Sequence, residues 1–209
     1  KIQNKTAVIG IIGLGYVGLP LALEFAGKGF FVLGFDIDEK KIPILNAGET
    51  YIKHIAAERI ADAVQSGKFV ATGDFSRLPE VDVIIIAVPT PLNRHREPDM
   101  TYIINSSKVV SKYLQKGQLV VLESSTYPGT TEEVMQPLFD APESYPGEKF
   151  EVGKDYYLAF SPEREDPNNP NFNTATIPKV VGGVTPKCSE IAKAVYDQVI
   201  VKTVPVSSP

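Results

Sequence analysis

The chain has 209 residues, of which 43 % are hydrophobic, and a formal net charge of −4. That is one sizeable domain, or one and a half small ones, with a real core rather than a disordered polymer, and its mild acidity speaks against a general nucleic-acid or anionic-membrane binder, both of which need a cationic footprint. A single cysteine excludes an internal disulfide framework, no Cys/His cluster has the spacing of a metal site, and no apolar run reaches the roughly 18 residues of a membrane span.

Lys1-Ile2-Gln3-Asn4-Lys5 leads into a strand pattern instead of a signal-peptide core, so a cytoplasmic location is expected. The opening lysine and the abrupt Val206-Ser207-Ser208-Pro209 are what a processed or trimmed chain would show. Short β-branched runs then alternate with longer helical segments, the pattern of a parallel sheet covered on both faces. Thr6 to Ile12 reads as a strand, Tyr16 to Lys28 as a helix closed by Gly27 and Gly29, and Phe31 to Phe35 as a second strand. Asp38 is placed to cap a helix running to Ala47-Gly48, residues 54 to 66 form another, and Phe69 to Thr72 a short third strand. Val81 to Val88 is a buried strand stopped by Pro89, and Asp99 precedes a helix from Met100 to Leu114. Leu119 to Leu122 is the fifth strand, Thr131 to Leu138 a helix, and Ala141 to Lys154 a Pro- and Gly-rich surface loop. Tyr156 to Phe160, Lys179 to Gly182 and Lys202 to Val206 are late strands, with a helix from Pro186 to Val199 before the last. The expected fold is α/β: a Rossmann-like, doubly wound, mainly parallel sheet with helices on both faces, spanning residues 1–206.

Gly13-Leu14-Gly15-Tyr16-Val17-Gly18 stands between the first strand and the first helix. The spacing G-x-G-x-x-G is weak by itself, but here Asp36 answers it at the end of the second strand, 18 residues past Gly18 and near the expected interval of about 20. Gly13 would permit a tight turn, Gly15 the approach of a pyrophosphate, and Gly18 close helix–strand packing. The N–H groups and dipole of the helix start would hold the phosphates. Asp36 can accept hydrogen bonds from both ribose hydroxyls and would repel a 2′-phosphate, which favours NAD over NADP. Asp38, Glu39 and Lys40 read as helix-start carboxylates and a solvated lysine.

Three further strings accompany that turn: Ala87-Val88-Pro89-Thr90-Pro91-Leu92, Glu123-Ser124-Ser125-Thr126-Tyr127-Pro128-Gly129-Thr130-Thr131, and Ser161-Pro162-Glu163-Arg164. Together they resemble the nucleotide-sugar 6-dehydrogenases of the UDP-glucose/GDP-mannose dehydrogenase family. The Asp-Pro-Asn-Asn that follows and Ile177-Pro178-Lys179-Val180-Val181-Gly182-Gly183 look most like its UDP-N-acetylglucosamine/mannosamine branch.

The resemblance implies roles only at matching positions. Tyr16 and Val17 would contact the pyrophosphate of NAD, Asp36 and Lys41 would hold the adenosine ribose, and Val88, Pro89 and Thr90 would form the turn beside the cofactor. Thr126 matches a threonine that organises the catalytic water and touches the nicotinamide side. Glu163 matches the glutamate that orients water or acts as acid/base, and Arg164 would lie against the substrate. Without the family, Lys41 reads as a solvated lysine, Thr126 as a capping hydroxyl, and Glu163 as a surface carboxylate paired with Arg164. Yet Pro89-Thr90, Thr126 and Glu163 each follow a predicted strand, and open α/β sheets bind ligands past the carboxyl ends of their strands.

Two departures stand out. Where some members carry a second glutamate, four residues beyond the first, this chain has Pro167, with Asp166 beside it. The family's nucleophile is a cysteine followed four residues later by aspartate. Cys188 is followed by Ala192 and reads as part of a surface helix, so it is not that thiol. The family reaction converts a sugar 6-hydroxymethyl to a carboxylate with two NAD⁺ and one water, through a thiohemiacetal on the missing cysteine. The chain is therefore expected to be the NAD-binding half of such an enzyme in polysaccharide precursor synthesis and inactive alone. The UDP-sugar site, the central helix and the contacts of a homodimer or higher oligomer would lie elsewhere. His54 reads as a surface or capping residue, and His95 and Arg96 as parts of a solvated basic loop. Two other readings stand beside this one: a β-hydroxyacid-type NAD dehydrogenase, and a non-catalytic NAD-sensing module.

Overall fold

The computed structural model describes residues 1–53, 55–92, 94, 98–163 and 177–209. Eight strands form one sheet in the order β3-β2-β1-β4-β5-β6-β7-β8. They are β1 (Val8–Ile12), β2 (Phe31–Phe35), β3 (Phe69–Thr72), β4 (Val83–Ile86), β5 (Leu119–Leu122), β6 (Tyr157–Phe160), β7 (Lys179–Gly183) and β8 (Thr203–Val206). Every neighbouring pair is parallel except β6 and β7, which pair antiparallel. This is the expected doubly wound fold, with a switch point between β1 and β4 where the strand order reverses.

Alternation along the strands divides the core in two. Val83 and Ile85 of β4 join Ile9, Ile11, Val32 and Val121 on one face, while Ile84 and Ile86 join Leu33, Phe35, Val120 and Leu122 on the other. Helix α1 (Gly18–Gly27) covers the first face together with α3 (Ala57–Gln65) and α6 (Pro186–Tyr196). α1 is buried on nearly all sides, which explains a helix with so few polar residues. Helices α4 (Thr101–Tyr113) and α5 (Gln136–Asp140) cover the second face.

Several boundaries differ from expectation. The short α2 (Lys41–Asn46) starts later than Asp38, whose carboxylate accepts a hydrogen bond from the Lys40 N–H. β4 ends at Ile86, where its pairing with Ile12 and Leu122 stops, three residues before the proline. Phe75–Glu80, which the hydrophobic pattern left without an element, is a 3₁₀ turn opened by Asp74. Thr130–Met135 is a π-helical turn leading into α5, entered through Gly129 at φ 90°.

Cys188 corrects the reading of a surface helix position. Its side chain is fully buried, and Sγ accepts hydrogen bonds from the Leu158 N–H at 3.4 Å and the Thr185 hydroxyl at 3.1 Å. α6 is indeed opened by Thr185-Pro186, with Thr185 Oγ1 accepting from the Cys188 N–H.

Candidate functional site

The sequence folds into a ligand-sized cleft at the switch point. The cleft holds about 880 Å³ and is walled by the Gly13–Val17 turn, the end of β2, the Ala87–Pro89 turn after β4, and one side of α4. Gly13 sits at φ 95°, and a Cβ there would lie 2.5 Å from the Ala87 carbonyl oxygen. Only glycine adopts this backbone that close to another chain segment. A Cβ on Gly18 would lie 1.9 Å from the Gly13 carbonyl oxygen, so the glycine lets α1 start directly under the turn. A Cβ on Gly15 would meet nothing within 4 Å. Its surroundings are open space at the mouth of a helix whose first turn no side chain caps.

Asp36 is buried and tightly held at the end of β2. Oδ2 accepts from the Leu14 N–H at 2.9 Å and from Lys41 Nζ at 2.8 Å, and Oδ1 accepts from the Asp38 N–H at 2.9 Å. A carboxylate offers about four lone-pair sites, so Oδ1 keeps acceptor capacity toward the cleft. Tyr51 closes the same corner. Its hydroxyl donates to the Leu14 carbonyl, and its ring stands 5.6 Å from Lys41 Nζ. Burial, then the negative charges of Asp36 and Asp38, push the Tyr51 phenol well above its ordinary value and keep it a donor.

Of the residues singled out above, Gly13, Gly15, Tyr16, Val17, Asp36, Lys41, Val88 and Pro89 line this one cleft. Gly18 lies beneath it, and Thr90, Thr126 and Glu163 stand outside its lining. Those three follow β4, β5 and β6, consecutive parallel strands, and so occupy one edge of the sheet. Ser124 ties two of these turns together by donating to the Val88 carbonyl at 2.7 Å.

Thr126 Oγ1 lies 2.7 Å from Thr130 Oγ1, and the Thr130 hydroxyl also reaches the Tyr127 carbonyl at 2.9 Å. Each hydroxyl has one proton. Either hydroxyl can donate across this pair. Met100, at the entrance to α4, offers its Sδ as a second acceptor to the Thr126 hydroxyl at 3.6 Å. Arg164, Asp166, Pro167, His54, His95 and Arg96 lie outside the described residues.

Phe75, Tyr102, Asn105, Ser106 and Val109 also line the cleft, as do Ile37 and Tyr51. None carries a local sequence signal, because α4 and the 3₁₀ turn reach the site only through tertiary packing. The described residues contain no group of three or more His, Cys, Asp or Glu side chains able to hold a metal. No described helix is long and apolar enough to cross a membrane.

The profile of the UDP-glucose/GDP-mannose dehydrogenase family, NAD binding domain, matches residues 7–200. The chain belongs to this family. As its NAD-binding domain, it is 36 % identical over 196 residues to UDP-N-acetyl-D-glucosamine 6-dehydrogenase of Pseudomonas aeruginosa, covering 94 % of this chain and 44 % of that protein. UDP-N-acetyl-D-mannosamine dehydrogenase of Escherichia coli (strain K12) is 36 % identical over 197 residues, covering 91 % of this chain and 45 % of the relative. Among solved structures, the NDP-N-acetyl-D-galactosaminuronic acid dehydrogenase of Methanosarcina mazei Go1 superposes with a TM-score of 0.87 at 35 % identity, covering 99 % of this chain and 45 % of that one. The chain thus spans less than half the length of the UDP-glucose/GDP-mannose dehydrogenase family relatives it matches.

The cofactor of this family suits the cleft on the structure's own terms. Open space at Gly15, an uncapped helix start and a carboxylate with spare acceptor capacity are what a pyrophosphate followed by a ribose requires.

Proposed function

We propose that the chain is the NAD-binding half of a nucleotide-sugar 6-dehydrogenase that oxidises the 6-hydroxyl of a UDP-N-acetylhexosamine to a carboxylate in two NAD-dependent steps. The observation that carries this reading is the shared sheet edge. The cleft opens past β1, β2 and β4, while Thr126 and Glu163 follow β5 and β6 on the same side. The relatives named for UDP-N-acetyl-D-glucosamine and UDP-N-acetyl-D-mannosamine support the substrate class.

In this reading Gly13 to Gly18 and the start of α1 bind the pyrophosphate, Asp36 and Lys41 hold the adenosine ribose, and Val88, Pro89 and Thr90 border the nicotinamide. Bound NAD supplies the hydride acceptor. The Thr126 hydroxyl, 2.7 Å from that of Thr130, offers a water or substrate hydroxyl a hydrogen-bonding partner. Glu163 takes the proton released as the hydroxyl is oxidised or as water attacks. Arg164, next in the chain, binds the substrate in this reading. The nucleophilic cysteine and most of the UDP-sugar pocket come from outside these 209 residues, in an enzyme that assembles as a homodimer or higher oligomer. Its place is the cytoplasm, and its product feeds polysaccharide assembly.

Turnover tests this directly. The full-length protein should form two NADH per UDP-N-acetylhexosamine, and Glu163→Gln should lower kcat by about 100-fold, the usual range for a general acid/base. The 209-residue chain alone should form none. Turnover by the chain alone, or a Glu163→Gln enzyme with parental kcat, would overturn the reading.

A further inference from the structure

A second group of charged side chains lies fully buried away from the cleft. Lys179 Nζ at the start of β7 is 2.6 Å from Glu123 Oε1 just past β5, and the two side chains are 2 % and 1 % exposed. The Tyr196 hydroxyl at the end of α6 donates to the other carboxylate oxygen, Oε2, at 2.6 Å. Lys179 also donates to the Pro162 carbonyl at 3.2 Å and stands 5.3 Å from the centre of the Tyr196 ring. None of the three residues lines the cleft.

Stability does not account for such a group. Taking a lysine and a glutamate out of water offsets much of their attraction, and well-packed apolar residues of similar size often do as well or better. What apolar residues would not provide is the contact to Pro162. The Ser161–Glu163 turn is held at three points. The Ser161 N–H donates to Leu122 O at 3.0 Å, its hydroxyl donates to Val180 O at 2.8 Å, and the Lys179 ammonium holds the Pro162 carbonyl. The last of these fixes the peptide that carries Glu163. β7 runs antiparallel to β6 with Phe160 opposite Gly182, so the first residue of β7 lies past the end of β6, alongside the Ser161–Glu163 turn. Burial and the carboxylates of Glu123 and Glu163 raise the Tyr196 phenol well above its ordinary value, so it remains a donor to Glu123.

We infer that Lys179, Glu123 and Tyr196 form a positioning network for Glu163, in which the Lys179 ammonium, held by Glu123, grips the Pro162 carbonyl and sets the direction of the Glu163 carboxylate. The inference rests on the reading of Glu163 as the acid/base. Glu123 is the anchor of the ammonium, and Tyr196 fixes the rotamer of Glu123 by occupying its second oxygen.

Lys179→Met alone leaves a buried carboxylate without its cation and can fail to fold. The informative variant is therefore Lys179→Met with Glu123→Gln, which removes both charges, fills the lysine volume and leaves Tyr196 an acceptor. In the full-length enzyme it should lower kcat by about 100-fold, the effect of misplacing a reacting group by about 1 Å. KM for NAD should stay within twofold, and adding Glu163→Gln should cause little further loss. In the 209-residue chain, the amide nitrogen resonance of Glu163 should shift, because its peptide has lost the ammonium on the Pro162 carbonyl, while NAD affinity by calorimetry stays parental. Parental kcat with an unmoved Glu163 resonance would overturn the network. So would losses that multiply fully with Glu163→Gln, since independent effects add in free energy. If Glu163→Gln itself retains kcat, the reading of Glu163 fails instead, and a shifted resonance would still record the grip on Pro162.

Discussion

A methyl group at position 15 would point into open space, and one at position 18 would strike the Gly13 carbonyl oxygen at 1.9 Å. The two glycines of one motif therefore serve different ends, and alanine separates them. Gly18→Ala should lower stability by about 1–3 kcal/mol through overpacking, measured by urea unfolding. Gly15→Ala should unfold like the parent and yet bind NAD about tenfold more weakly, the equivalent of roughly 1.4 kcal/mol, because the methyl group occupies space the pyrophosphate needs. A Gly15→Ala protein with parental affinity would remove the backbone-approach role. Asp36 is the second residue-scale case. With Lys41, Leu14 and Asp38 all bound to its carboxylate, Asp36→Ala removes both the ribose acceptor and the hinge between turn and β2. NAD affinity should fall by about 10- to 100-fold, in line with roughly 1.5–3 kcal/mol for hydrogen bonds to a charged group. Calorimetry with NADP on the parent supplies the control, and tighter NADP than NAD binding would refute the specificity argument.

Helices and turns show where local patterns were legible. Cys188, Ala192, Val195 and Tyr196 are buried at spacings of four, seven and eight, the apolar stripe of a helix facing a sheet. That stripe is legible in the sequence, and Cys188 belongs to it rather than to the exposed face of α6. The structure predicts slow reaction of Cys188 with a thiol reagent in native buffer and fast reaction in denaturant. Native labelling at the denatured rate would contradict its burial. The π-helical turn at Thr130–Met135 was not legible, since its register follows from the Gly129 backbone and from Thr130 closing onto Tyr127. Likewise, the start of α2 at Lys41 follows from Lys41 donating its N–H to the Asp38 carbonyl, a turn that delays the helix.

At the scale of the whole molecule, three tyrosines couple folding to alkaline pH. Tyr51, Tyr156 and Tyr196 all have phenols raised above the ordinary 10.0, in each case chiefly by burial, with carboxylates of Asp36, Asp140 and Glu123 respectively adding to it. The neutral phenol is the form the fold accommodates. In the unfolded chain these groups lose protons near pH 10, so above that point the folded state binds more protons and stability falls as pH rises. The contribution is intact below pH 10.0 and lost progressively above it. Urea midpoints compared at pH 9 and pH 11 should decrease, and equal midpoints would rule out this linkage.

The order of strands and helices, the Gly13–Gly18 turn and its partner Asp36 were determined by sequence alone, because hydrophobic periodicity and backbone permissiveness are local properties. The strings around Pro89, Thr126 and Glu163 were equally legible as strand-end turns. Which side chains meet was decided by tertiary structure. Lys179, Glu123 and Tyr196 lie far apart in the chain and join only because an antiparallel β7 returns beside β6 and α6 ends over β5. Tyr51 reaches Leu14 for the same reason. Buried charge is tolerated only where partners converge, and no local pattern encodes that convergence.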